Sequence, residues 1–278
     1  MKFPLGYVGV GLMGGPMVKR LGSLGWAVRG YDIVPERSMV GSAAEAARGA
    51  DVVLLNLPTN EAVEDALSKL IPVLRAPQLI VDFSTIPVDA CRAHSARVLK
   101  ETGCRWVDAP VSGGPPAVEA GTLTVMAGGE AADLKRLAPL MADIAGRCTH
   151  MGPVGAGLAA KMINQLIVGV GTAMLGEAVA LCEKAGIDAA RIPECLGGGY
   201  ADSNVLKAYW PRMVARDFAP RGYVRQLLKD LEMVNAWAGQ LQSRTPVLES
   251  ALEAYRELKK QGHSELDTSA VVKLYVRE

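Results

Sequence analysis

Through about the first 150 residues, short runs of consecutive apolar positions alternate with stretches whose apolar residues recur every three or four places. YVGV (7–10), AVRGY (27–31), DVVLLNL (51–57), QLIVDF (78–83), RWVDAP (105–110) and TLTVMA (122–127) predict strands. GPMVKRLGSLG, AAEAARG, VDACRAHSARVLKETG and EAADLKRLAPLMADI predict helices between them, with Gly25, Gly49 and Gly103 where helices should stop. Strands apolar along their whole length are buried on both faces, which points to a mostly parallel sheet covered by helices. After MGPVGAG (151–157) no run predicts a strand, and the apolar spacing is helical through to Val276. Candidate helices cover roughly 157–185, 188–197, 203–215, 221–241, 245–261 and 267–277, with Pro193, Pro211, Pro220 and Pro246 at starts or breaks. The expected plan is an α/β domain over 1–154 and an all-α domain over 155–278 that opens with a long interdomain helix.

The first strand runs into GVGLMG, a GxGxxG pattern that also opens a helix, the context a Rossmann-type dinucleotide fingerprint requires. Gly9 would permit the tight turn, Gly11 a close approach of backbone to a pyrophosphate, and Gly14 close packing of helix on strand. With Leu12 and Met13 they form the expected phosphate cradle, where free N–H groups and the helix dipole favour an anion. A tight turn without a ligand is the plainer alternative. Asp32 closes the second strand twenty-one residues after Gly11. There an acid can accept hydrogen bonds from both ribose hydroxyls of NAD and would repel a 2′-phosphate, unless it merely caps a helix ahead of Pro35. Ile33 follows it where an arginine could have clamped a phosphate. NAD is therefore the expected cofactor, with NADP possible.

Composition narrows the partners. Half the residues are hydrophobic, 21% are charged and the net charge is +1, so no global field favours nucleic acid or an anionic membrane. Five cysteines and three histidines show no metal-ligand spacing, so no metal is expected, and unpaired cysteines suit a reducing cytoplasm. The apolar part of 166–175 is too short to span a bilayer, and the N-terminal apolar run breaks into glycines, so no membrane anchorage is expected.

Further candidates lie at the carboxyl ends of strands, where ligands gather in open α/β sheets. NLPTN (56–60) and DFSTIP (82–87) offer Leu57, Pro58, Ser84 and Thr85 to a cofactor, although each is also ordinary turn chemistry. Ser112, Gly113 and Gly114 supply a hydroxyl and unobstructed N–H groups, a suitable cradle for a substrate carboxylate or hydroxyl, with a structural turn as the alternative. In GAGLAAKMINQLIVGVGTAML, Lys161, Asn164 and Gln165 stand at i, i+3 and i+4 on one helix face. Burying an unpaired ammonium costs several kcal/mol, so the lysine either snorkels to water or serves a site at the domain junction.

At this point the chain resembles the β-hydroxyacid dehydrogenases, a family that includes 3-hydroxyisobutyrate dehydrogenase and tartronate semialdehyde reductase. The resemblance covers essentially the whole length and rests on GVGLMG, DFST, DAPVSGG…AGTLTVMAGG, GAGLAAKMINQ and LLKDLEM. It implies that Lys161 is the catalytic lysine, with Asn164 as its accompanying amide. Ser112, Gly113 and Gly114 would bind substrate, joined by Gln165 where many members have asparagine. Lys229 would reach the cofactor, with Asp230 supporting it. Tyr223 falls where phenylalanine is common, which leaves the pocket open and the chemistry untouched.

The expected activity is NAD-dependent interconversion of a small 3-hydroxy acid and its semialdehyde or oxo acid. That chemistry moves a hydride to or from nicotinamide and a proton on or off oxygen, and Lys161 is the best-placed proton partner because no histidine has a comparable constellation. Two readings compete. Imine reductases share the layout but typically lack the lysine, and a non-catalytic dinucleotide-binding protein could use the same fold. The apolar surface of the long helix exceeds what one small bundle covers, so a homodimer or homotetramer is expected.

Overall fold

A computed structural model describes residues 2–276. It divides into two compact units, Met1–Lys161 and Met162–Glu278. The division falls inside one continuous helix.

The first unit runs β1 (Leu5–Val8), α1 (Gly14–Ser23), β2 (Val28–Tyr31), α2 (Ala43–Ala47), β3 (Val52–Leu55), α3 (Asn60–Leu70), β4 (Leu79–Asp82), α4 (Val88–Thr102), β5 (Arg105–Asp108), β6 (Val111–Ser112), α5 (Gly114–Ala120), β7 (Leu123–Gly128), α6 (Ala131–Ile144) and β8 (Ala145–Gly152), ending in the first turns of α7 (Ala156–Lys184). The strands form one sheet in the order β2-β1-β3-β4-β5-β7-β6, with β8 also paired to β7. From β2 to β5 every pairing is parallel. β7 runs antiparallel to β5 and β6 and parallel to β8. This is the Rossmann-type α/β arrangement that the sequence predicts.

The apolar runs identified these strands for a physical reason. All four residues of β1, β3 and β4 are buried, and Leu5, Tyr7, Leu54, Val81 and Val107 join Met17 and Leu21 of α1 in one core. Each such side chain contributes about 1.5–3 kcal/mol by leaving water. Four elements escaped the sequence reading, namely α3, β6, α5 and β8. α3 was passed over although Val63, Ala66, Leu67 and Leu70 are buried at helical spacing and the Thr59 side chain accepts from Ala62 N–H as its cap. β8 is exposed along most of AGRCTHMG. No hydrophobic run announces it, because its pairing with β7, not burial, makes it a strand.

The second unit holds the rest of α7, α8 (Ile192–Cys195), α9 (Asn204–Ala215), α10 (Val224–Gln240), α11 (Pro246–Lys260) and a 3-10 segment, Thr268–Leu274. Among the described residues it is all-helical apart from one isolated bridge, Tyr223 to Asp267. Two expectations need correction. The segment predicted as a helix over 267–277 is a 3-10 helix over Thr268–Leu274, and residue 277 lies outside the described residues. Its start is fixed by buried Asp267, whose carboxylate accepts from Ser269, Arg221 and Gly222 N–H and pairs with Arg212 Nη1 at 2.7 Å. Pro211 also lies inside α9 instead of ending it.

The small residues of α7 have a packing role. A Cβ on Gly169 would come within 2.6 Å of Leu231 in α10, and one on Gly176 within 3.2 Å of Val271. As a whole α7 is long and apolar enough to cross a membrane by length and composition, which considering only 166–175 had missed. Such a helix is equally typical of a buried core position. Here Leu158, Met162, Leu175 and Val179 are packed away from solvent, as is the polar Thr172.

Candidate active site

The β1–α1 turn is made of backbone. Gly9 adopts φ +99°, the left-handed region that favours glycine, and its N–H donates to Tyr31 O. A Cβ on Gly14 would stand 1.9 Å from Gly9 O, so only glycine lets α1 begin this close to the strand. A Cβ on Gly11 would meet nothing within 4 Å, which leaves its backbone open to a ligand. No side chain caps α1 and its first turn has no acidic residue. The turn therefore fits a diphosphate: its donors are not capped by side chains and its dipole is not neutralised by a carboxylate. At the end of β2, Asp32 Oδ1 accepts from Val34 N–H at 2.9 Å, and Ser38 bridges its backbone. The carboxylate thus closes a local turn and does not cap the short helix at Pro35, whose cap position is Val34.

The next two strand ends are tied together. Ser84 Oγ accepts from Leu57 N–H at 2.8 Å, and Ser84 N–H donates to Asp82 Oδ1 at 2.9 Å. This holds the loops carrying Leu57, Pro58 and Thr85. Asp82 is fully buried with its Oδ2 unpartnered, and burial pushes its pKa up to about 7. Its neighbour in register is Asp108, the last residue of β5. Asp108 Oδ1 accepts from Gly155 N–H at 2.7 Å and Oδ2 from Leu158 N–H at 2.8 Å, at the start of α7. The reading of the sequence missed both acids. An Asp closing an apolar run, as in LIVD and the WVD of RWVD, was the available signal.

One turn beyond Leu158, Lys161 is only 7% exposed, and its Nζ donates to Val111 O at 2.9 Å. It does not snorkel. Val111 belongs to β6, so the ammonium is held at the strand that carries Ser112. Gly113 and Gly114 follow at φ +131° and +66°, opening α5 with backbone donors.

A polar chain sits at the start of the second unit. Asn164 Nδ2 donates to Gln165 Oε1 at 2.9 Å, Gln165 Nε2 donates to Asp230 Oδ2 at 2.5 Å, and Lys229 Nζ lies 3.2 Å from Asp230 Oδ1. A carboxylate only accepts, so Asp230 fixes which end of the Gln165 amide faces it. Gln165 then presents its oxygen to Asn164, and Asn164 is left with a free choice of partner only for its own oxygen and one N–H. Among the described residues no cluster of His, Cys, Asp and Glu could hold a metal ion.

Comparison with known proteins agrees with this layout. Residues 4–152 match the family described as the NAD-binding domain of 6-phosphogluconate dehydrogenase. Residues 155–275 match that described as NAD-binding of NADP-dependent 3-hydroxyisobutyrate dehydrogenase. An NAD-dependent L-serine dehydrogenase of Pseudomonas aeruginosa is 34% identical, across 98% of this chain and 97% of its own length. A 2-hydroxy-3-oxopropionate reductase of Escherichia coli is 32% identical, across 96% and 95%. A solved 3-hydroxyisobutyrate dehydrogenase of Mycobacterium tuberculosis, with L-serine, superposes with a TM-score of 0.89 at 31% identity over 99% of both chains. A glycine-entered dinucleotide domain followed by a helical domain defines a class of nicotinamide-dependent oxidoreductases, and this chain belongs to its β-hydroxyacid dehydrogenase family.

Proposed function

We propose that the protein is an NAD-dependent dehydrogenase, or reductase in the opposite direction, interconverting a small 3-hydroxy acid and its semialdehyde or oxo acid. NAD(P)-dependent oxidation of a small hydroxy acid follows from family membership. The observation that carries the finer reading is Lys161, an ammonium withdrawn from water and anchored at Val111 beside the Ser112–Gly114 cradle. When bound, the nicotinamide supplies the hydride acceptor or donor. Gly9, Gly11, Leu12, Met13 and Gly14 would hold the pyrophosphate of the dinucleotide and Asp32 a ribose, with Leu57, Pro58, Thr85 and Lys229 completing its contacts. Ser112 with the N–H groups of Gly113 and Gly114 binds the substrate carboxylate. In oxidation Lys161, as the neutral amine, takes the proton from the substrate hydroxyl and becomes the ammonium that stabilises the developing alkoxide; in reduction the ammonium returns the proton. Asn164, its amide set through Gln165 and Asp230, offers its remaining N–H to the substrate oxygen and so orients it.

In this reading residues 1–154 form the dinucleotide-binding domain, which also carries the Ser112–Gly114 cradle, while 155–278 form the helical substrate and oligomerisation domain, which also carries Lys229. Ile163, Ile167, Met174 and Leu181 are exposed at spacings of four and seven along α7, a stripe suited to a second copy in a homodimer or homotetramer. The five free cysteines suit the cytoplasm. A panel of small hydroxy acids, assayed with NAD and with NADP alongside Lys161→Ala, tests the proposal. We expect reduction of NAD by at least one 3-hydroxy acid and its loss in the variant. No turnover on any acid, or an active Lys161→Ala, overturns the reading. A concentration-independent monomer mass in light scattering overturns the oligomer.

A further inference from the structure

The 29-residue α7 is preceded by Gly155, which has no side chain with which to cap it, and the first four N–H groups of any α-helix lack partners within the helix. Asp108, 47 residues earlier, supplies what is missing by accepting from Gly155 and Leu158 N–H. Such charge-assisted bonds are about twice as strong as neutral ones. The carboxylate is also closely enclosed: a Cβ on Gly128 would lie 2.5 Å from its Oδ1, and one on Gly157 2.9 Å from its Oδ2 and 2.4 Å from Met126 O. Gly128 and Gly157 therefore leave room for this one group. Three residues after Leu158 comes Lys161, and its Nζ is fixed by Val111 O, three residues after Asp108. Residues 108–112 thus grip the helix twice, by a carboxylate at its first turn and by a carbonyl on its lysine. The same segment ends in Ser112.

We infer that Asp108 is a positioning residue for the reaction: it fixes the first turn of α7 so that the Lys161 ammonium stands in register with the Ser112–Gly114 cradle. The inference rests on the proposed role of Lys161. Asp108 touches neither substrate nor cofactor in this account and acts only through the helix. A misplacement of about 1 Å can cost on the order of a hundredfold in rate, so the grip has a catalytic consequence as well as a structural one. Asp108→Asn keeps the shape but sets an NH2 against one of the two backbone donors.

The test is a cycle of Asp108→Asn, Lys161→Ala and the double variant, read as kcat, KM for NAD and the pH–rate profile. Asp108→Asn is expected to lose roughly tenfold to a hundredfold in kcat, shift the limb of the profile due to Lys161, and leave KM for NAD within about twofold. Combined with Lys161→Ala it should add nothing further, because residues acting through one another are not additive. A purely structural cap would lower both single and double variants by the same factor, and that outcome overturns the inference, as does wild-type kcat in Asp108→Asn beside an inactive Lys161→Ala. An active Lys161→Ala instead removes the lysine reading and this inference with it. If Asp108→Asn does not fold, amide exchange in the wild type decides: Gly155 and Leu158 protected as strongly as the middle of α7 supports the grip, and fast exchange like a frayed end overturns it.

Discussion

The N-termini of α1 and α7 face the same problem and solve it in opposite ways. Both expose backbone N–H groups at the positive end of a helix, and both are admitted to the sheet by a glycine, Gly14 in one and Gly157 in the other, whose Cβ would strike backbone oxygen. At α1 no side chain answers the donors and no acid lies in the first turn. At α7 a buried aspartate from β5 answers them completely enough to hold the helix. A helix whose N–H groups are already taken is an anchor, and one whose groups are left open is a place for an anion. The first kind carries the side chain proposed to do chemistry, whereas the second would work through its main chain.

That contrast can be pressed hardest at Lys161. Lys161→Ala should lower turnover by roughly 10²–10⁴, the range for a lost general acid or base, while NAD binding followed by fluorescence titration stays near wild type. Lys161→Arg should not restore turnover, since guanidinium stays protonated and is bulkier. At α1 the pattern should invert. Gly14→Ala has to move Gly9 O, so NAD affinity should fall by about tenfold or more together with the melting temperature, as expected of a backbone forced out of place. Leu12→Ala, which removes only side chain, should change NAD affinity less than twofold if the contact is made by main chain. A large loss there would show that the turn reads the cofactor with side chains too.

Cofactor choice gives a smaller effect. Asp32→Ser combined with Ile33→Arg should move preference toward NADP, by removing a repelling carboxylate and adding a phosphate partner. A wild type with higher kcat/KM for NADP would contradict the assignment of Asp32.

Asp82, beside the anchoring Asp108, supplies the mildest test. Its folded-state pKa is raised to about 7 by burial, above the ordinary value of 3.8. Between those values the folded form holds a proton that the unfolded chain has released. Stability from this group is therefore largest at low pH and is lost as pH rises toward 7. Asp82→Asn keeps the acceptor for Ser84 N–H and removes the titration, so melting temperatures between pH 5 and 8 should vary less than in the wild type. Parallel curves would place the buried proton elsewhere.

Much of the fold was legible because burial and periodicity coincide. β1 and β3 carry no charged residue, β4 is apolar up to Asp82, and all three are buried at every position, while α10 and α11 carry apolar residues at helical spacing against one another. β8 was not legible, since an exposed edge strand owes its form to a partner's hydrogen bonds. The glycine turn, Asp32 and the Lys161, Asn164, Gln165 triplet were also visible, because their spacing alone puts them at a strand end or on one helix face. Which way each polar group is satisfied was not. The sequence reading weighed Asp32 as a helix cap, and the folded chain uses it to close a turn onto Val34.

The amino-acid order by itself pointed to most of the element types, the place where α/β texture gives way to helices, and the residues proposed to bind a dinucleotide and move a proton. These depend on short-range spacing and on the cost of leaving apolar groups in water, both of which are local properties of the chain. Only the tertiary structure decided that Asp108 answers the N–H groups of α7, that Val111 O receives the lysine, and that Asp230 sets the Gln165 amide. Each of those bonds joins residues about 50 or more positions apart in the chain or close to it. A buried donor or acceptor must find a partner, but its identity is fixed by which strand end and which helix turn packing has brought within about 3 Å.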